Sequence, residues 1–389
     1  MFDKKNSLYH LAIILLSLLV VVCCKKQTDD TKSTPVQNDG STTGTLRVPT
    51  VFSNINADPN VADYYITGVL NVESELKIDS GVFIEMGPGA SIVIKTTGTI
   101  IARGDSANPI TITGRTKTRG SWKYIMVNSN DPRNELRFVN IEYGGGDNSN
   151  NGTVYLNTGA FLKIHNCKIS DSKSNAVVAA ADDANLSDFS DNKIENNGHA
   201  LQIRPNQIPQ INNNNTFLNN DSSFITIMGS DIKSPLIWSK KPLPFVHKGV
   251  TVIEADVNIT EGVNIKMGYA SMIQVMPTGS LNATGTASNK IFISSIDTIQ
   301  GYWNCLLFQS RSNNNKLSYV DISYGGGSLA YMGSIYIGAS VSYPQAILSM
   351  NNCSVSKSAS WGIYIQSNAS LVNAGGNTYS NNIMGNVGP

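Results

Sequence analysis

The feature that most constrains this chain is a two-residue apolar beat carried by very short segments. In the first half Leu76, Ile78, Val82, Ile84, Met86, Ile92, Ile94, Ile100, Ala102, Ile110 and Ile112 all share one parity. Side chains alternate faces along a strand, so this spacing sends one set inward. The segments recur about every eight to ten residues with Gly, Asn or Pro between them, the pattern of an all-β sandwich, barrel or solenoid. No stretch keeps helical spacing over three turns, and nothing supplies βα crossovers.

A long internal repeat narrows the choice. Ile78, Gly81, Val82, Ile84, Met86 and Gly87 match Ile259, Gly262, Val263, Ile265, Met267 and Gly268, each pair 181 positions apart. The same offset joins Gly98 to Gly279, Trp122 to Trp303, and Tyr143-Gly144-Gly145-Gly146 to Tyr324-Gly325-Gly326-Gly327. Beyond Tyr155 and Tyr336 the second copy gains five residues, so Asn166-Cys167 meets Asn352-Cys353. The reading is two tandem copies, residues 51–230 and 231–389.

Composition favours a solenoid. Charged residues are 15% of the chain, below the usual quarter, while Asn clusters at residues 192–197, 212–215 and 313–315 sit between apolar segments. Asn tolerates turn backbone, and its side chain can bond the backbone of the next stacked coil. Net charge is +1, so no broad basic field exists to gather nucleic acid. Cys167 and Cys353 share an inward spacing with Ile169 and Val355 and read as core. Without a Cys-x-x-Cys pair, a thiolate metal site is unsupported. His165 and His247 stand alone in sequence and read as surface or satisfied residues.

The N-terminus carries an address. Lys4 and Lys5 precede an apolar run over residues 11–22 that ends at Cys23-Cys24. This has the shape of a secretory signal, and it is shorter than the ~20 residues of a membrane span. The run and its cysteines resemble the lipobox of bacterial lipoproteins, which implies acylation at Cys24, a signal over residues 1–24, and anchoring to a membrane by lipid. Residues 25–50, polar and with two prolines, read as a flexible tether. Asp29-Asp30 resemble signals that carry some Gram-negative lipoproteins outward. The implied location is the cell envelope, lipid-anchored at the outer membrane and either surface-exposed or periplasm-facing.

Residues 76–87 with their counterparts 257–268, Leu136-Arg137-Phe138-Val139-Asn140-Ile141-Glu142-Tyr143-Gly144 with its twin, and His165-Asn166-Cys167-Lys168-Ile169-Ser170 resemble coils of right-handed parallel β-helix (pectate-lyase-like) envelope lipoproteins. The fold expected is therefore all-β, a right-handed parallel β-helix in two copies, with a pair of β-sandwiches as runner-up.

That resemblance implies specific chemistry. Pectate-lyase-like enzymes hold Ca²⁺ with carboxylates on an exposed sheet and use Lys or Arg as base. Polygalacturonase-like hydrolases need flanking carboxylates. Asp182-Asp183, Gly198-His199-Ala200 and Arg204 resemble, in order, the hydrolase motifs Asp-Asp, Gly-His-Gly and Arg-x-Lys, from which Ala200 and Asn206 depart. Copy two has Asn368 and Ala369 in place of the acidic pair. The expectation is a non-catalytic module, without a cofactor, that binds an extracellular polysaccharide or a surface protein. Trp122, Tyr143, Trp303 and Tyr324 are its candidate sugar platforms, set against the favoured alternative that these rings plug the solenoid at a coil transition. The alternative is a polysaccharide lyase or glycoside hydrolase built on Asp182, Asp183, His199 and Arg204, with Ca²⁺ required only for a lyase.

Overall fold

The computed structural model describes residues 41–149, 152–338 and 345–389. The expected signal, the acylation site Cys24 and most of the tether lie outside these residues. The last part of the expected tether does not behave as one. Ser41–Leu46 is a strand, paired in parallel with Tyr64–Val72, and Leu46 is fully buried. The first coil therefore begins about ten residues earlier than the composition indicates.

Among the described residues every strand pairing is parallel, and the strands of successive coils stack into three ladders. The first ladder runs from Tyr64–Val72 through Phe83–Met86, Ile110–Gly114, Val139–Glu142, Lys168–Ser170 and Lys193–Glu195 to Thr216–Leu218. The second runs from the same long strand through Ser91–Ile94, Ile125–Val127, Gly152–Leu156, Asn175–Ala179 and His199–Ile203 to Ile225–Met228. The third holds Thr50–Phe52, Glu75–Ile78, Thr99–Arg103, Glu135–Arg137, Phe161–His165 and Asn185–Ser190. This is a parallel β-helix. Sandwiches of the immunoglobulin kind are antiparallel, so the runner-up fold is excluded.

The register explains the apolar beat. Ile84, Ile112, Ile141, Ile169 and Ile194 lie directly over one another and end on Phe217. In the second ladder Leu70, Ile92, Ile125, Val154, Val177, Leu201 and Ile225 do the same. The parity set named above is enclosed, each member at most 1% exposed. Burying each such side chain contributes roughly 1.5–3 kcal/mol, and the stack repeats that gain at every coil.

Asparagines close the corners. The Asn192 carboxamide accepts from Cys167 N at 2.9 Å and donates to Ile164 O at 2.8 Å, while Asn215 Oδ1 takes Asn192 N at 2.9 Å. Asn197 and Asn220 repeat the arrangement one corner on. Asn166, Asp191, Asn196 and Asn219 turn the chain with φ between 52° and 57°, a region Asn and Asp enter at little cost.

In one coil the third-ladder strand is replaced by a short 3-10 helix, Pro205–Gln210. The buried Gln207 carboxamide stands in for the missing backbone: it donates to Ala184 O at 2.6 Å and accepts from Leu186 N at 2.7 Å.

The most consequential feature is where the ladders go next. Ile225–Met228 of the second ladder pairs with Phe245–Lys248, which pairs with Asn264–Met267, then Ile291–Ser295, Val320–Ser323, Ser354–Ser356 and Thr378–Ser380. By the 181-residue match, Asn264–Met267 corresponds to Phe83–Met86, which belongs to the first ladder. The counterparts of the second ladder form a separate sheet that starts at Asp231–Ile232, and those of the third start at Leu236–Trp238. The chain thus changes ladders at the junction, while one apolar stack continues from Ile225 through Phe245, Ile265, Ile293, Ile322 and Val355 to Tyr379.

Candidate functional site

Asn175–Ala179, His199–Ile203 and Ile225–Met228 are consecutive rungs of the second ladder, so the turns that follow them emerge side by side. Those turns carry Asp182 and Asp183, then Arg204 and Asn206, then Ser230, Asp231 and Lys233, which together line an open groove of about 550 Å³. Arg204 Nη2 bridges to Asp182 Oδ1 at 2.7 Å while its Nε donates to Ala180 O at 2.7 Å. Lys233 Nζ lies 3.5 Å from Asp231 Oδ2. Asp183 is exposed and sits at a left-handed corner, φ 53°. Every lining residue is polar or charged: three carboxylates, an amide, a hydroxyl and two cations reach across three coils.

Three of the four residues of the catalytic alternative meet here. His199 does not. It opens the strand that Arg204 follows, so the two are separated by the strand's length, about 15 Å. Its Nδ1 lies 2.7 Å from Ser222 Oγ, and burial, then the charge of Lys248, pushes its pKa down. Gly198 is needed for close approach: a Cβ there would come within 2.6 Å of Lys173 O. The partial Gly-His-Gly likeness therefore marks a tight crossing of two coils. Among the described residues no group of three or more His, Cys, Asp or Glu is placed to hold a metal ion.

Of the four candidate platforms the structure encloses the two tryptophans and leaves the two tyrosines half-buried. Trp122 and Trp303 are fully enclosed, 0% exposed, and their indole N–H groups donate to Glu142 O at 2.7 Å and Ser323 O at 2.9 Å. They plug the coil, and no sugar reaches them. The glycine triplets exist for this packing. A Cβ on Gly144 would meet Thr153 at 2.5 Å and the Trp122 ring at 2.9 Å, and one on Gly146 would meet Gly120 O at 2.2 Å. Tyr143 and Tyr324 are half-buried, and each ring already faces an ammonium: Lys117 Nζ lies 5.8 Å from the first ring centre and Lys357 Nζ 4.7 Å from the second. Lys357 also donates to Tyr324 Oη at 2.7 Å.

His165 and Cys167 share a parity but not a face. Asn166, at φ 54°, turns the chain between them. Cys167 points inward, and burial pushes its thiol up to about 12. His165 points outward, its Nε2 2.8 Å from Glu135 Oε1. The sequence reading missed Ser230, Asp231 and Lys233. The available signal was their position just after an apolar segment, the same place in the coil as Asp182 and Arg204. No family model, curated protein or solved structure matches the chain.

Proposed function

We propose that this chain is an envelope lipoprotein, acylated at Cys24, whose β-helix holds an extended, hydroxyl-rich glycan without cleaving it. The observation that carries the reading is the groove at Asp182, Asp183, Arg204, Asn206, Ser230, Asp231 and Lys233. Carboxylates accept from sugar hydroxyls while Arg, Lys and Asn donate to them, which fixes orientation. Because the lining spans three coils, about 10 Å from first rung to last, it suits a polymer running along the column.

The test is retention of the full chain on immobilised neutral polysaccharides, with Asp183→Ala and Lys233→Ala as variants. Loss of retention in both, by roughly tenfold, supports the reading. Failure to retain any polymer, together with measurable bond cleavage that Asp183→Ala abolishes, reverses it in favour of a lyase or hydrolase. That second reading is favoured by the acidic pair facing the same groove as Arg204.

A further inference from the structure

The outward face of the third ladder carries a column of two guanidinium groups and an imidazole. Arg103 lies beside Arg137, and Arg137 beside His165, on three consecutive rungs. Adjacent rungs are about 4.8 Å apart, and like charges placed opposite each other on a sheet repel. One carboxylate serves the column. Glu135, itself buried, takes the Arg103 guanidinium through Nε and His165 Nε2 at 2.8 Å. Burial pushes the Glu135 carboxyl up, but hydrogen bonds from His165 and Arg103 outweigh it and hold it below the ordinary range. Glu135 is thus committed to the two ends, and the middle cation is left over. Among the described residues no carboxylate pairs with Arg137, and its Nε is enclosed with no acceptor.

Counterpart positions in the second copy show what this sheet needs when no charge is required. Thr284, Ser318 and Asn351 occupy the same three rungs there, all neutral. The fold is satisfied by small polar side chains at these places, so the Arg-Arg-His column is an addition to it.

We propose that Arg103, Arg137 and His165 form a binding site for the oxyanions of an acidic polysaccharide lying along the column axis, separate from the groove at Asp182. A carboxylate or sulfate seated on the solvent side of the Arg137 guanidinium would neutralise the middle of the column. Guanidinium forks match the paired oxygens of such groups. Charges repeating along a polymer would meet guanidinium groups on two adjacent rungs and an imidazole on the third.

The experiment compares the full chain with Arg137→Gln and Arg103→Gln for binding to polygalacturonate, a sulfated glycosaminoglycan, neutral dextran and duplex DNA at physiological salt. The expected result is retention on polygalacturonate, the glycosaminoglycan or both, weakened about tenfold by either substitution, the size that losing one charge-assisted contact produces. Which of the two anionic polymers is held identifies carboxylate or sulfate as the ligand group. Thermal unfolding separates ligand binding from a structural role: Arg137→Gln should melt at or above the parent temperature, since it removes an unpaired charge. A lower melting temperature with unchanged binding overturns the site. So does equal binding by the variants, or equal retention of DNA, which would mark nonspecific attraction. Groove variants Asp183→Ala and Lys233→Ala leave this arm intact, so either proposal can fail without the other.

Discussion

Single residues decide which surfaces of this solenoid are closed. At Gly146 a methyl group would meet a backbone oxygen at 2.2 Å, and backbone cannot swing aside as a side chain can. Gly146→Ala should therefore lower stability by about 1–3 kcal/mol, the usual range for overpacking; a denaturant midpoint equal to the parent's would contradict the account. His247 offers a second check. It is fully buried, its Nε2 lies 2.7 Å from Thr251 Oγ1, and burial pushes its pKa down to about 4. In the unfolded chain the imidazole takes a proton near pH 6.5, so below that pH the unfolded state binds more protons. Stability then falls as pH drops from about 6.5 to about 4 and this contribution flattens below, a loss of roughly 3 kcal/mol from this one side chain. In His247→Gln the same acid titration should show a correspondingly smaller decline, measured by urea midpoints at each pH.

At the scale of elements, the short helix at residues 205–210 tests how far a side chain can replace a strand. Gln207 satisfies both Ala184 O and Leu186 N, and an unmet buried group costs about 1–3 kcal/mol. Gln207→Leu should destabilise by roughly 3 kcal/mol, and hydrogen exchange at the Leu186 amide should accelerate more than at Ile164 on the neighbouring rung. How much of the elements was legible beforehand follows from the same physics. The inward set from Leu76 to Ile112 was readable because parity along a strand is a local property, while the continuation of its stack through Ile141 to Ile194 needs the inter-coil register. The Asn corners were readable because a carboxamide that mimics backbone suits any stacked turn. For Trp122 the plug and the platform were both open, because it lies between strands, where parity no longer reports direction. His165 was ambiguous because one left-handed residue, Asn166, reverses the alternation. The Arg103–Arg137–His165 column was invisible because its members lie 34 and 28 positions apart, and only the inter-coil register makes them neighbours.

For the whole molecule, the junction is the part a sequence offset could not describe. The match at 181 positions says which residues correspond, but carries no information about which ladder each joins. A solenoid is nearly one-dimensional in its energetics, with each coil supported by its neighbours, so continuity across residues 225–267 couples the two halves. Phe245 sits in that path, 1% exposed, between Ile225 and Ile265, with its ring edge-on to Trp238 at 5.8 Å. Phe245→Ala should cost about 3–5 kcal/mol. It should also split unfolding into two transitions seen by hydrogen exchange, one for each side of the junction. A single cooperative transition at lower midpoint would show that the halves are joined by more than this stack.

The change of ladder also sets how the two halves meet the outside world. Corresponding residues take different bearings around the column, so a straight rod laid along it touches unlike chemistry above and below the junction. Matching residues of the two halves sit as spokes set at different hours on a clock face. The likeness in sequence between the halves therefore varies the surfaces along the column and does not repeat one face.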